Sequence, residues 1–75
     1  MIGAYVLIIA KSGFEKQVLE SLRKLKEIKD AKIVYGEYDI IAKIEVGDVS
    51  DLNDFLIEKV RNLEIEKTST LIVAA

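Results

Sequence analysis

The sequence predicts an α+β domain whose elements run strand, helix, strand, strand, helix, strand. Three observations carry this. Residues 33–46 hold two strand-like runs that meet at the polar break Gly36-Glu37, which is a hairpin signal. Apolar runs of strand character open and close the chain. Between these runs and the hairpin lie two segments whose apolar residues recur at helical spacing. The second hairpin arm is apolar through Val46 except for Asp39, Lys43 and Glu45, as expected of a central strand.

The elements follow in order. Residues 3–10 form the first strand, with Ala4, Val6, Ile8 and Ala10 on one face and Tyr5, Leu7 and Ile9 on the other. Both faces are apolar. Ser12 is placed to cap a helix and Glu15 to return the bond. That helix is expected to reach about Glu27, with Val18, Leu19, Leu22 and Leu25 inward and Ile28 near its end. Lys29-Asp30 then make a turn, and Ala31–Tyr35 form an edge strand with one partly charged face. Glycine in the first central position of Gly36-Glu37 suits a two-residue type II′ turn. Tyr38–Val46 is the third strand.

Asp48 or Ser50 is placed to cap the second helix. Leu52, Phe55, Leu56, Val60 and Leu63 form its apolar stripe to about Arg61 or Asn62. Lys67–Ala74 is the last strand. This order is the ferredoxin-like split βαββαβ arrangement. Right-handed crossovers place both helices on one face of a four-stranded antiparallel sheet, in spatial order 4-1-3-2. The opposite face is left apolar at its centre and is expected to pack on an equivalent sheet of a second copy.

Composition narrows the function. A chain of 75 residues makes one domain. A domain this size buries only about 60% of the surface its unfolded chain exposes. Yet 51% of the residues are hydrophobic, which again argues for a partner subunit. The net charge of −2 includes no basic run, so neither direct nucleic-acid binding nor a polybasic membrane contact is expected. Cysteine and histidine are absent, which removes disulfides, thiol nucleophiles, imidazole bases and soft-metal sites. No cofactor, no metal and no catalytic residue is expected. The opening apolar stretch is too short for a membrane span, and a cytoplasmic protein is predicted. Abundant Ile, Lys and Glu with no cysteine fit a thermophile source.

Two places are candidates for ligand chemistry. Asp39 follows the turn, with Tyr38 before it and Tyr35 across the turn. It reads either as a strand-end acid or as the partner of a ligand ammonium group, with amides near Gly36 taking a carboxylate. Thr68, Ser69 and Thr70 are three adjacent hydroxyls. They read either as residues of high strand propensity or as ligand or subunit contacts. Gly13 alone is not a phosphate-loop pattern. The tyrosines lack the positive surroundings of an RNA-reading sheet.

The stretch Val34-Tyr35-Gly36-Glu37-Tyr38-Asp39-Ile40-Ile41-Ala42-Lys43 resembles the glycine-x-tyrosine-aspartate turn of the ligand-binding, or RAM, domain of Lrp/AsnC transcription regulators, together with the strand behind that turn. Ala4-Tyr5-Val6-Leu7-Ile8, Val18-Leu19 with Leu22, and Thr68-Ser69-Thr70-Leu71 resemble other parts of the same domain, so the resemblance covers essentially the whole chain. It implies a non-enzymatic module that binds a small effector, commonly an amino acid. It also implies homodimers joined through their sheet faces, assembled into octamer or decamer rings. The implied contacts are Tyr35, Gly36, Glu37, Tyr38, Asp39, Thr68, Ser69 and Thr70. Members of the family carry a helix-turn-helix domain ahead of this module. The first strand here starts within a few residues of Met1, so a stand-alone effector module is expected, acting with a full-length Lrp/AsnC regulator. Two alternatives share the topology: a dimeric α+β barrel enzyme and an ACT-like amino-acid-binding regulatory domain.

Overall fold

The structure, a computed structural model, describes residues 1–74. Four strands and two helices follow in the expected order: β1 (Ile2–Ala10), α1 (Glu15–Arg23), β2 (Ile28–Ile33), β3 (Ile40–Val46), α2 (Val49–Phe55) and β4 (Ile65–Ile72). A π-helical turn, Leu56–Val60, extends α2. The strands form one antiparallel sheet in the order β2-β3-β1-β4, which is the predicted arrangement. No helix among the described residues is long and apolar enough to cross a membrane.

Alternation along the strands sets the two faces. Ala4, Val6, Ile8 and Ala10 of β1 and Ile40, Ala42, Ile44 and Val46 of β3 are all buried, on the face that the helices cover. Val18, Leu19 and Leu22 of α1, Leu52 and Phe55 of α2, and Val60 complete the core. Tyr5, Leu7, Ile9 and Ile41 point the other way and stay half-buried. Neighbouring strands cover their flanks, but neither helix covers this face.

Several local expectations are corrected. Ser12 does not cap α1. The Phe14 amide donates to the Lys11 carbonyl at 2.9 Å, and Gly13 at φ +88° closes this tight turn. Ser12 is thereby held inside the turn, and the position before the helix falls to Phe14, which makes no side-chain cap bond. The helix also stops at Arg23 rather than near Glu27. Amides of Lys24, Leu25 and Ile28 donate to carbonyls three residues back, so the chain tightens out of the α-helix and Ile28 enters the core as the first residue of β2. Lys29 and Asp30 therefore belong to a strand, not a turn. In α2 the Asp48 carboxylate accepts from the Asp51 amide at 2.9 Å, the expected cap.

The π-helical turn is a departure with a clear cause. At about 100° per residue, an uninterrupted α-helix would aim Lys59 into the middle of the stripe formed by Leu52, Phe55 and Leu56. The Arg61 amide instead reaches the Leu56 carbonyl five residues back, at 3.0 Å. The wider winding puts Val60, 1% exposed, into the core and leaves Lys59 outside.

The two ends of α1 predict opposite mutational costs. Leu22→Ala should destabilise the fold by about 2–5 kcal/mol. Leu25→Ala, past the true helix end and half-buried, should cost less than half as much. Urea unfolding of the two variants checks this.

Candidate functional site

The turn between β2 and β3 is longer than a two-residue type II′ turn. Its strands part at Ile33 and Ile40, and the Val34 amide donates to the Asp39 carbonyl at 2.8 Å. That bond closes a loop of Tyr35, Gly36, Glu37 and Tyr38. Gly36 adopts φ +140°, a conformation that L side chains rarely take. Tyr35 is fully exposed, Gly36 and Glu37 are exposed, and Tyr38 and Asp39 are half-buried.

Asp39 holds this loop to the sheet. Its amide donates to the Ile8 carbonyl at 2.9 Å. Its carboxylate Oδ2 accepts from the Ala10 amide at 3.1 Å. Ala10 lies two residues beyond the last β1 position paired with β3, Ile8, so β3 offers it no regular backbone partner. The Asp39 side chain takes that place. Oδ1 makes no hydrogen bond to the described residues. A half-buried carboxylate with one oxygen engaged and one unengaged is a fit partner for a cationic donor.

The hydroxyl run approaches from the far side of β1. Thr68 lies opposite Ile8, Ser69 opposite Leu7 and Thr70 opposite Val6. Asp39 and Thr68 therefore flank the same end of β1, two strand spacings apart, or roughly 10 Å. The three hydroxyls do not share a face. Thr68 and Thr70 lie on the helix side with Ile8 and Val6, and Ser69 lies on the open side with Leu7. One chain thus brings the turn and Thr68 to one end of the sheet but does not enclose a space between them.

The formed clefts lie elsewhere, on residues that the sequence pattern does not mark. One of about 520 Å³ sits at the opposite end of the sheet, between the α1–β2 connection and α2, with Val46 and Phe55 among its walls. There Lys59 Nζ bridges to Glu27 Oε2 at 3.1 Å and stands 6.0 Å from the centre of the Phe55 ring. Burial pushes the Glu27 carboxyl up, but its own backbone amide, the Lys59 ammonium and the Lys26 charge outweigh this and hold it below the usual carboxylate range. Its second oxygen, Oε1, is buried without a partner. A second cleft, of about 450 Å³, lies on the open sheet face and is lined by Tyr5, Lys29, Asp30, Lys32, Ile41 and Lys43. Finding either from sequence requires knowing that Glu27 and Lys29 flank the start of a strand.

Comparison with known proteins agrees over the full length. Residues 3–75 match the family model of the Lrp/AsnC ligand binding domain. An uncharacterized HTH-type transcriptional regulator of Pyrococcus abyssi is 35% identical over 75 residues, covering 99% of this chain and 48% of its own length. The chain spans about half the length of the curated relatives it matches. Among solved structures, the hypothetical protein PHS023 from Pyrococcus horikoshii is 42% identical at a TM-score of 0.94, covering 100% of this chain and 92% of that one. E. coli AsnC is 33% identical at a TM-score of 0.94, covering 99% of this chain and 51% of its own. The Pyrococcus relatives fit the heat-stable composition.

Two stability effects follow from this geometry. Asp39→Ala leaves the Ala10 amide without an acceptor and should cost about 1–3 kcal/mol in chemical denaturation; Asp39→Asn keeps an acceptor oxygen and should cost less. Because the folded state lowers the Glu27 pKa, its contribution is present above the unfolded carboxylate range and is lost as pH falls through the folded value. Glu27→Gln should therefore be less stable than the parent at pH 7, by up to about 1 kcal/mol. The gap should close in thermal melts run at progressively more acid pH.

Proposed function

The chain belongs to the Lrp/AsnC ligand-binding domain family, and we propose that it is a non-enzymatic module that binds a small effector, an amino acid, and assembles through its sheet. The observation that carries the reading is the state of Asp39. The carboxylate sits at a loop pinned to β1 and closed on Val34, and one of its oxygens has no bond to the described residues. In this reading that oxygen takes the effector's ammonium group, and amides around Gly36 take its carboxylate. Tyr35 and Tyr38 supply walls, with Glu37 beside them. Thr68, Ser69 and Thr70 supply hydroxyls, arriving in part from a neighbouring copy. The need for a neighbour is supported by geometry, since the loop is exposed and no single chain encloses it.

Two copies pair by their open sheet faces. What supports this is the apolar centre formed by Tyr5, Leu7, Ile9 and Ile41, uncovered by either helix. Pairs then join into octamer or decamer rings, with the effector between pairs. A full-length regulator of the same family is the partner through which effector binding reaches DNA. That role is supported by the HTH-type relatives, in which a match to this chain makes up about half of the protein.

Calorimetric titration with individual amino acids tests the site. One of them should bind, and Asp39→Asn should weaken it about tenfold or more, as expected for a lost charged hydrogen bond of about 1.5–3 kcal/mol. The asparagine preserves the acceptor for Ala10, so the loop stays in place. Unchanged affinity in this variant removes Asp39 from the ammonium contact.

A further inference from the structure

The cleft between the α1–β2 connection and α2 takes no part in the Asp39 site. It lies at the other end of the sheet, where Val46 pairs with Ile2, and holds about 520 Å³. That is the size of a small-molecule site. Val46 and Phe55, both buried, give it an apolar wall. The π-helical turn supplies Glu58 and Lys59 to its lining, and single π-turns within helices recur at functional sites.

The charges around this wall do not balance. Five carboxylates line the cleft against three ammonium groups. Two of the three are engaged: Lys59 Nζ bridges to Glu27 Oε2 at 3.1 Å, and Lys29 Nζ donates to the Lys26 carbonyl at 3.1 Å. The carboxylates of Glu45, Asp51, Asp54 and Glu58 enter no ion pair and accept no hydrogen bond among the described residues. Asp54 follows Asp51 by three residues and precedes Glu58 by four, spacings at which like charges on a helix repel. Glu27, whose side chain is 18% exposed, adds a separate observation. Its Oε1 is buried with no partner, and a buried polar atom left unpaired in a folded protein calls for an explanation. The Lys59 and Lys26 charges help to keep this carboxyl ionised.

We infer that this cleft is a second ligand site, for an aliphatic polyamine. The chemistry selects the class. A metal ion does not fit, because among the described residues no three carboxylates come close enough together to hold one. An amino acid fits poorly, since its carboxylate would meet the same acidic surface. A chain of methylenes carrying several ammonium groups matches both parts of the lining. Its methylenes lie on Val46 and Phe55, and its ammonium groups meet Glu27 and the row of Asp51, Asp54 and Glu58. Lys59 already shows the arrangement within the chain: an alkyl stem whose ammonium bonds to Glu27 and stands 6.0 Å from the centre of the Phe55 ring, within the reach of a cation–π attraction. The site is independent of the effector reading at Asp39, which lies at the opposite end of β3.

Calorimetric titration of the protein with spermidine tests this, with Mg²⁺ at matched charge as competitor. Spermidine should bind and resist displacement by Mg²⁺. The double variant Asp54→Asn, Glu58→Gln changes two exposed side chains and no core contact. It should weaken binding about tenfold or more, as expected when charge-assisted hydrogen bonds are lost. Asp39→Asn should bind spermidine like the parent, whatever it does to amino-acid binding. Amide resonances supply a readout that needs no variant: spermidine should shift those of Gly47, Asp54 and Phe55 and leave those of Gly36 and Asp39 in place. Absence of binding at millimolar spermidine overturns the site. So does equal displacement by Mg²⁺, which marks diffuse attraction to a net negative surface, or an unchanged affinity in the double variant. Resonance shifts centred on Gly36 and Asp39 also overturn it.

Discussion

The structure depends on β1 being hydrogen-bonded on both sides and apolar on both faces. It lies between β3 and β4, so all of its regular backbone pairing is used within the sheet. Its helix-side residues Ala4, Val6 and Ile8 are at most 1% exposed and anchor the core. Two helices suffice for one face of four strands and no more. The residues between, Tyr5, Leu7 and Ile9, are thus left with flanking neighbours but no layer above them. Burial of apolar area is the main favourable term in folding, and it is left incomplete on this face. The proposed assembly thus draws on the strand that holds the fold together.

The end of β1 is where fold and proposed function meet. The strand outruns its pairing with β3 by two residues, and an amide left there unpaired would cost about 1–3 kcal/mol if buried. Asp39 supplies the missing acceptor from its side chain and, through its own amide and carbonyl, ties the turn to β1 at Ile8 and to Val34 just past β2. The residue proposed to meet the effector is thus also the one that holds the turn still. A carboxylate has two oxygens, and only one is needed for the structural duty.

Much of this was legible in advance. The hairpin, the two helical stripes and the uniformly apolar β1 are signals of periodicity, and periodicity depends only on which side chains must avoid water. They led to the strand order and to both faces of the sheet. The turn, Asp39 and the hydroxyl run stood out because polar residues break otherwise apolar strands. The errors cluster at boundaries. Nothing between Arg23 and Ile28 marks a helix stop, since there is no glycine or proline; the helix ends because Ile28 is needed in the core as part of β2. Ser12 looked like a cap because its residue type and spacing were right, but the turn at Gly13 placed it too early. The helical stripe of α2 included Val60, but only a π-helical turn reconciles Val60 inside with Lys59 outside.

The sequence by itself determined the order of elements, the composition of each face and the residue types available for chemistry, because these follow from local pattern and from what is absent. Tertiary structure alone decided where each element stops, which oxygen of Asp39 is engaged and which hydroxyls share a face. It also decided that Arg23 reaches the Ala31 carbonyl on the outer strand β2. These properties arise from contacts between residues far apart in the chain. Arg23 and Ala31 are joined across a connection, and Ala10 and Asp39 across a helix and a strand. No local pattern records such a pairing until the sheet has formed.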